Sequence, residues 1–288
     1  AHAARAARKA GVATIWQTHG MLIQWALNHK KWKKKACLAA GLWRLLKSAD
    51  GFVTMTSTEL ETTVFPANCP PDRRFLVPLP VNLPPQPDRA ALGAKGRERY
   101  KLPPDAFVFA FLGRLHPVKR VDMTIAAFAK AAPSIPNPRL LILGKGDTDE
   151  YENQLKAQCE SLGVADKVIF AGWMNNELKP EALAAADALV LNSSVESFGY
   201  VLFEAMGVGT PVLVTSSIFL ASEFKAAGAA MVADDSTEAL ARAMTEMASR
   251  PDRAAMAARA RKWTTESFSP EAVGGQFLKV YETVRRKR

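Results

Sequence analysis

The chain has 288 residues, enough for one or two domains, and its composition is typical of a globular protein. No apolar run approaches the roughly eighteen residues that a membrane-spanning helix needs, and the N-terminus lacks the apolar core of a signal peptide. Three scattered cysteines and four histidines without metal-ligand spacing indicate neither a disulfide framework nor a metal site. We expect a cytoplasmic protein and, because the first residue is not methionine, a chain that begins inside a longer protein.

The formal net charge of +10 is concentrated in two basic segments. Residues 29–35 read HKKWKKK and residues 285–288 read RRKR, and Trp25 and Trp32 accompany the first segment. Because cations and amphipathic aromatic rings favour an anionic bilayer surface, we expect peripheral contact with the inner face of the cytoplasmic membrane through Lys30–Lys35. A solvated helix face is the alternative. Nucleic-acid binding is not expected, since no recognition motif is present.

The first part of the chain predicts an incomplete Rossmann-like domain. Apolar segments predict three strands, at Val12–Thr18, Phe52–Ser57 and Phe75–Val77. Residues 21–49 combine a helical apolar periodicity with a basic face, which predicts helix throughout. Three strands are too few for a complete Rossmann domain. The proline-rich segment 78–87 is incompatible with a helix and predicts a linker at the domain boundary.

In the second part, apolar strands alternate regularly with helices. The predicted strands are Phe107–Leu112, Leu140–Leu143, Val168–Phe170, Ala188–Asn192, Pro211–Thr215 and Ala229–Val232. Such alternation indicates a parallel sheet covered by helices on both faces. We therefore expect an α/β protein with a partial Rossmann-like domain over residues 1–87 and a complete one over residues 88–270. A C-terminal helix over residues 271–288 is expected to pack back on the first domain.

Two glutamates flank the start of a predicted helix in the second domain. Residues 196–204 read ESFGYVLFE and directly follow the strand Ala188–Asn192. A helix N-terminus presents free N–H groups and a partial positive charge, which suits a phosphate. At about 1.5 Å rise per residue, Glu196 and Glu204 lie on the order of 10 Å apart, enough to stand on either side of a bound diphosphate. The alternative is a solvated helix start whose acids only favour the helix dipole.

Three segments resemble the retaining glycosyltransferases of family 4, which have the GT-B fold. Residues 196–212, ESFGYVLFEAMGVGTPV, look like the E-x7-E motif of that family. Residues 109–122, FAFLGRLHPVKRVD, are similar to its GR-L-x-P-x-K-G-x-D segment, with Arg120 where glycine is usual. Residues 140–146, LLILGKG, are similar to its L-x-I-x-G-x-G turn, although a tight strand-to-helix connection gives the same pattern.

The resemblance implies a role for four charged side chains. Arg114 and Lys119 lie just after the strand at 107–112, at the carboxyl edge where open α/β sheets bind ligands. By resemblance they contact the diphosphate of a nucleotide-sugar donor, where arginine grips two oxygens and lysine acts as a point charge. Glu196 is expected to hold hydroxyls of the transferred sugar, and Glu204 those of the ribose.

Backbone groups and one histidine complete the predicted site. Gly113 and the backbone N–H groups of Phe198, Gly199 and Tyr200 are expected to line the donor phosphates. His19 follows the first predicted strand in the segment THGML, which looks like the family element whose histidine faces the donor sugar. With Arg114, Lys119 and Glu196, it forms the predicted catalytic group, and a structural histidine is the alternative.

The resemblance implies a retaining, metal-independent glycosyltransferase. We expect it to move a sugar from a UDP- or GDP-sugar to a glycan or lipid-linked acceptor in surface-polysaccharide synthesis, without a cofactor. Family members carry a glycine-rich loop upstream that is absent here, so the alternative is a truncated protein that binds a nucleotide sugar without turnover. A basic nucleic-acid-binding protein and a sugar-nucleotide epimerase are further alternatives, and the E-x7-E spacing argues against the epimerase.

Overall fold

The structure is a computed structural model that describes residues 2–28, 31–146 and 148–286. The chain divides into two compact units. The first combines Ala1–Pro80 with Phe268–Arg288, and the second is Val81–Ser267. Across the described ranges, no helix combines the length and apolar character needed to cross a bilayer.

The first unit contains a three-stranded parallel sheet. Its strands are β1 (Ile15–Gln17), β2 (Gly51–Thr54) and β3 (Arg74–Leu76), in that spatial order. The described helices of this unit are α1 (His2–Lys9), α2 (Gln24–Asn28), α3 (Lys31–Cys37), α4 (Trp43–Lys47), α5 (Ser57–Thr62) and the C-terminal helix α14 (Pro270–Arg286). The predicted strands are therefore present, each shorter than the apolar segment that predicts it.

Neighbouring residues of β2 contribute to two small cores. Val53 and Val77 pack against three valines of α14. Phe52 packs with Leu22 and Leu46, which belong to the helical segment between β1 and β2. Because successive side chains of a strand point to opposite faces, α14 and the α2–α4 segment cover opposite faces of this sheet.

The described part of residues 21–49 is largely helical, as predicted, but the backbone leaves the helical conformation at Gly41. The described part of this segment contains α2, α3 and α4, and a π-helical turn at Leu38–Leu42 joins the last two. Within that turn Gly41 has a φ of 110°, which glycine adopts without the clash that a Cβ atom causes. The apolar periodicity stays close to helical across the break, so the pattern alone does not reveal it. His29 and Lys30 lie outside the described residues.

The second unit is an α/β domain around a six-stranded parallel sheet. Its strands are β4 (Phe107–Leu112), β5 (Pro138–Leu143), β6 (Val168–Gly172), β7 (Ala188–Leu191), β8 (Val212–Thr215) and β9 (Met231–Ala233). Its described helices are α6 (Arg89–Arg99), α7 (Val121–Ala131), α8 (Asp149–Ser161), α9 (Lys179–Ala185), α10 (Tyr200–Gly207), α11 (Ala221–Ala227), α12 (Thr237–Ser249) and α13 (Arg253–Phe268). Every strand predicted for this part of the chain is confirmed.

The strand order of this sheet creates a crevice at one edge. The spatial order is β6-β5-β4-β7-β8-β9, and all neighbouring strands are parallel. Counted from β4, this is the doubly wound order 3-2-1-4-5-6. The order reverses between β4 and β7, so the loops that follow these two strands diverge and leave a ligand crevice at the carboxyl edge.

Helix α6, which the sequence analysis did not name, contains two glycines. Gly93 and Gly96 are buried where α6 packs against α9. A Cβ atom on Gly96 would lie 2.3 Å from the carbonyl oxygen of Glu181, and one on Gly93 would lie 2.9 Å from that of Ala184. Glycine lowers helix propensity, but here it permits the close approach of two helix backbones.

Candidate functional site

Hydrogen bonds join the loops that follow β4 and β7. The backbone N–H of Ser194 donates to the carbonyl of Val118 over 2.9 Å. The hydroxyl of Thr124 donates to the side-chain oxygen of Asn192 over 2.7 Å, and both residues are fully buried. These contacts fix the two connections relative to each other at the reversal point of the sheet.

Lys119 and Glu196 form a salt bridge across this crevice, although they are 77 positions apart in the chain. Lys119 follows β4 and Glu196 follows β7. Their side chains are 24% and 16% exposed, so both remain reachable from solvent while being partly desolvated. The structure thus brings together the cation of one predicted motif and the first carboxylate of the other.

Gly199 turns the chain into helix α10, which begins at Tyr200. Its φ of 74° lies in the left-handed region, which glycine adopts readily. Phe198 is buried and stacks on Phe203 with ring centroids 4.8 Å apart. The side chain of Phe198 therefore belongs to the core, and only its backbone can face a ligand. Tyr200 is exposed at the helix start, and partial burial raises the pKa of its hydroxyl.

Glu204 pairs with Lys179, a residue that the sequence did not single out. The ammonium of Lys179 lies 2.9 Å from the Glu204 carboxylate. Together with Tyr200, the pair lines a cavity of about 310 Å³. Lys179 begins α9 in the connection that follows β6, at the same carboxyl edge of the sheet. Its position after a strand is a usable signal, but no motif spacing links it to Glu204.

The loop after β4 places the remaining predicted residues of this unit. Arg114 is exposed. Gly113 lies against Gly144, and a Cβ atom added to Gly144 would lie 1.8 Å from the carbonyl oxygen of Gly113. The turn at residues 144–146 therefore packs tightly against the loop. Arg120 has a φ of 53°, a left-handed conformation that glycine takes easily, and its guanidinium contacts Asp235 at 2.6 Å.

His19 belongs to the first unit, where a buried carboxylate holds its loop. Glu59 is fully buried and accepts hydrogen bonds from the Thr18 hydroxyl over 2.7 Å and from the backbone N–H of Gly20. Its other oxygen accepts from the backbone N–H of Met55 over 2.7 Å. Between the two anchored residues, His19 is exposed with a φ of 46°. Glu59 was not anticipated from the sequence.

The crevice of the second unit offers chemistry suited to a diphosphate. Lys119 supplies a positive charge at the reversal point of the sheet, and the start of α10 adds N–H groups. Glu196 and Glu204 supply acceptors for hydroxyl groups. Within the described residues, no group of three or more histidine, cysteine, aspartate or glutamate side chains could hold a metal ion.

Comparisons with known proteins place this geometry in a family. A family model described as "Glycosyl transferases group 1" matches residues 94–263. The chain is 36% identical over 175 residues to a D-inositol 3-phosphate glycosyltransferase of Acidothermus cellulolyticus, a match that covers 59% of this chain and 39% of the relative. It is 44% identical over 109 residues to a mannosylfructose-phosphate synthase of Agrobacterium fabrum, covering 36% of this chain and 24% of the relative. The chain thus spans well under half the length of these relatives.

A solved structure shares the fold. The Anabaena HepE structure in complex with UDP and glucose superposes with a TM-score of 0.77 at 17% identity, covering 98% of this chain and 74% of that one. At this identity the likeness shows the fold alone. It confirms the predicted GT-B-like α/β class with two parallel, Rossmann-like sheets. Since the family model covers more than half of the chain, the protein belongs to the group 1 glycosyl transferases.

Proposed function

We propose that the protein takes part in transferring a sugar from a nucleoside-diphosphate sugar to a glycan or lipid-linked acceptor, with retention of configuration and without a metal. The observation that carries this proposal is the ion pair of Lys119 and Glu196 across the reversal point of the sheet. It supports the proposal because the cation proposed to bind phosphate lies directly beside the carboxylate proposed to bind the sugar. HepE, which shares the fold, forms complexes with UDP and with UDP-glucose, and this supports UDP as the nucleotide of the donor.

The proposed chemistry follows from the charges that develop during transfer. Breaking the bond between the anomeric carbon and the phosphate oxygen leaves negative charge on the diphosphate. Lys119, Arg114 and the N–H groups at the start of α10 are suited to stabilise that charge. Glu196 is suited to orient the sugar hydroxyls and to stabilise positive charge on the ring. Glu196 engages Lys119, so donor binding exchanges the carboxylate partner of the lysine for a phosphate.

A UDP-release assay against a panel of UDP-sugars tests the proposal. We expect one sugar to give release above background, and Glu196→Ala to reduce that release by about 100-fold or more, the scale for removing a transition-state contact. Matched measurements on Glu177→Ala, a glutamate in the connection between β6 and α9 that lies outside the crevice motifs, control for surface charge. Release that is equal in all three proteins would contradict the proposed role of the crevice.

A second candidate is nucleotide-sugar binding without turnover. All predicted donor residues except His19 lie in the second unit, so donor binding requires only the residues of that unit. Calorimetry separates the two candidates. Binding of UDP and UDP-sugar without UDP release from any sugar tested would favour the second one.

The basic face of the first unit supports a further proposal, contact with an anionic membrane surface. Trp32 on α3 is 81% exposed and Trp25 on α2 is 47% exposed, and Lys31 and Lys33 are exposed beside them. Amphipathic rings and cations favour the interface of an anionic bilayer. Such contact would place a transferase close to a lipid-linked acceptor.

Vesicle co-sedimentation tests the membrane proposal. We expect the chain to bind phosphatidylserine-containing vesicles, and the double variant Lys31→Glu with Lys33→Glu to bind roughly tenfold or more weakly, at about 1 kcal/mol per cation. The matched control changes two exposed lysines of the second unit, Lys95→Glu with Lys225→Glu, with the same change in net charge. Equal weakening in the two double variants would show that only net charge matters.

A further inference from the structure

The second unit has a large cleft at the edge of the sheet opposite the candidate donor crevice. Its volume is about 740 Å³. Asp187 and Pro211, which precede β7 and β8, lie in its wall, so the cleft is at the amino ends of these strands. Open α/β sheets bind ligands at the carboxyl edge, and the fold alone therefore does not account for a cleft here. Its volume is within the range of small-molecule pockets.

Three arginines line this cleft without a carboxylate partner. Arg89 comes from the start of α6, and Arg253 and Arg261 come from α13. None of the three forms an ion pair with an acid in the described parts of the chain. Asp187, an acid in the lining of the cleft, forms its salt bridge with Arg97 at 2.9 Å. Lys262 is a fourth cation in the lining of the cleft. The other acid in the lining, Glu266, pairs with Lys262 at 3.9 Å.

Neutral carbonyl groups hold the three guanidinium groups in place. Arg89 donates to the carbonyl of Ala186 over 2.9 Å, and its Nε is buried without a hydrogen-bond partner. Arg261 donates to the carbonyls of Gly207 and, over 2.6 Å, of Pro84. Burial lowers the pKa of Arg89; the negative charge of Asp187 opposes this shift, and the positive charge of Arg97 adds to it.

Arg253 is anchored in the same way. Its Nη1 donates to three carbonyls around the end of α12, and its guanidinium lies 5.2 Å from the centre of the Phe107 ring. Carbonyl contacts fix the positions of these groups, and among the described residues no acid forms a salt bridge with them. A partly desolvated cluster of like charges is unfavourable unless an anion joins it.

We propose that this arginine cleft binds a small phosphorylated metabolite at a site separate from the donor crevice. Guanidinium groups hold phosphate oxygens with paired N–H donors, and a phosphate dianion compensates more than one of them. Gln86 and Thr265 also line the cleft and offer hydrogen bonds to hydroxyl groups. The room beyond a single phosphate, together with these polar groups, favours a ligand of the size of a sugar phosphate.

Calorimetric titration of the full chain with glucose 6-phosphate tests this proposal. At about pH 7.5 the phosphate is mostly dianionic, and glucose serves as the neutral control. We expect saturable one-to-one binding of glucose 6-phosphate with a Kd below about 1 mM, and no saturable heat with glucose. Arg89→Gln and Arg253→Gln should each weaken binding about tenfold or more, the scale for hydrogen bonds to a charged group. Lys95→Gln, which changes an exposed cation of the same helix as Arg89, should stay within about twofold.

Because the arginines also hold carbonyl groups, the thermal unfolding of each variant is measured alongside. The side chain of Lys262 is 76% exposed, so the variant Lys262→Gln should fold normally. It should still weaken binding of glucose 6-phosphate measurably. An arginine cluster with only a structural role would lower thermal stability in the variants and give no saturable binding in the unsubstituted protein. That result would overturn the proposal. Binding that survives Arg89→Gln and Lys262→Gln but is lost in Lys119→Ala would also overturn it, because it would place the anion in the donor crevice.

Discussion

At the scale of single residues, Glu59 shows how a buried carboxylate fixes the backbone around an exposed residue, His19. Its carboxylate accepts from the Thr18 hydroxyl and from the backbone N–H groups of Gly20 and Met55, and it is fully buried. The strand end and the start of α5 are thereby tied together. The loop carrying His19 consequently keeps a left-handed residue exposed between two anchored neighbours.

We expect Glu59→Ala to destabilise the protein by about 3 kcal/mol or more. The substitution leaves three buried donors without an acceptor, and each such loss costs about 1–3 kcal/mol. Urea unfolding measures the change. Glu61→Ala, at an exposed position of the same helix, is the matched control and should stay within about 0.5 kcal/mol. Similar midpoints for both variants would mean that the buried carboxylate contributes little to the fold.

Lys119 is the residue on which the proposed donor site depends most. Lys119→Ala should weaken UDP binding by about 1.5–3 kcal/mol, the scale of a hydrogen bond to a charged group. Calorimetry with UDP measures the effect. Lys130→Ala removes an exposed lysine that pairs with Glu238 at 3.4 Å on the surface, and it should leave UDP affinity unchanged. Unchanged affinity in Lys119→Ala as well would remove this lysine from the site.

The sequence predicted some of these residues better than others. Residues within a motif, such as Lys119 and Glu196, could be named because their segments resemble family motifs and lie just after predicted strands. Lys179 could not, because its partner Glu204 is 25 positions away and the contact depends on how α9 packs beside α10. Arg120 looked like a departure from the motif, yet it adopts the left-handed conformation that the usual glycine would take. The backbone requirement is thus kept while the residue type differs.

At the scale of elements, close packing explains why helix α6 contains two glycines. Helix α6 carries Gly93 and Gly96 because its backbone lies directly against α9. A sequence pattern counts these glycines against a helix, whereas the contact that requires them appears only in three dimensions. The break within residues 21–49 was missed because its apolar spacing remains helical while Gly41 redirects the backbone.

Substitution of these glycines distinguishes packing from propensity. Gly96→Ala should destabilise the protein by about 1–3 kcal/mol, because its Cβ would meet the Glu181 carbonyl oxygen at 2.3 Å and the Ala185 side chain at 2.8 Å. Gly275→Ala lies in α14, where a Cβ atom meets nothing within 4 Å, and should stabilise by about 0.5–1 kcal/mol. Urea unfolding measures both. Changes of the same sign would contradict the packing explanation of α6.

At the scale of the whole molecule, alternation of strands and helices predicted both parallel sheets. The order of strands within a sheet could not be predicted, because periodicity shows which residues are strands and not which strands are neighbours. That order matters here: β4 and β7 are adjacent although two strands lie between them in the chain. The adjacency brings together two motifs that the sequence could only place separately, and the proposed donor site is its consequence.

We propose that Glu204 binds the ribose of the donor and Glu196 binds its transferred sugar. Calorimetry with UDP on one variant of each residue tests this division most directly. Glu204 is proposed to hold the ribose, so Glu204→Ala should weaken UDP binding by about tenfold or more. Glu196 is proposed to contact only the transferred sugar, which UDP lacks. Because Glu196 pairs with Lys119, its removal frees the lysine for a phosphate, so Glu196→Ala should leave UDP affinity within about threefold or tighten it. Equal loss of UDP affinity in both variants would contradict the division and, with it, the proposed site.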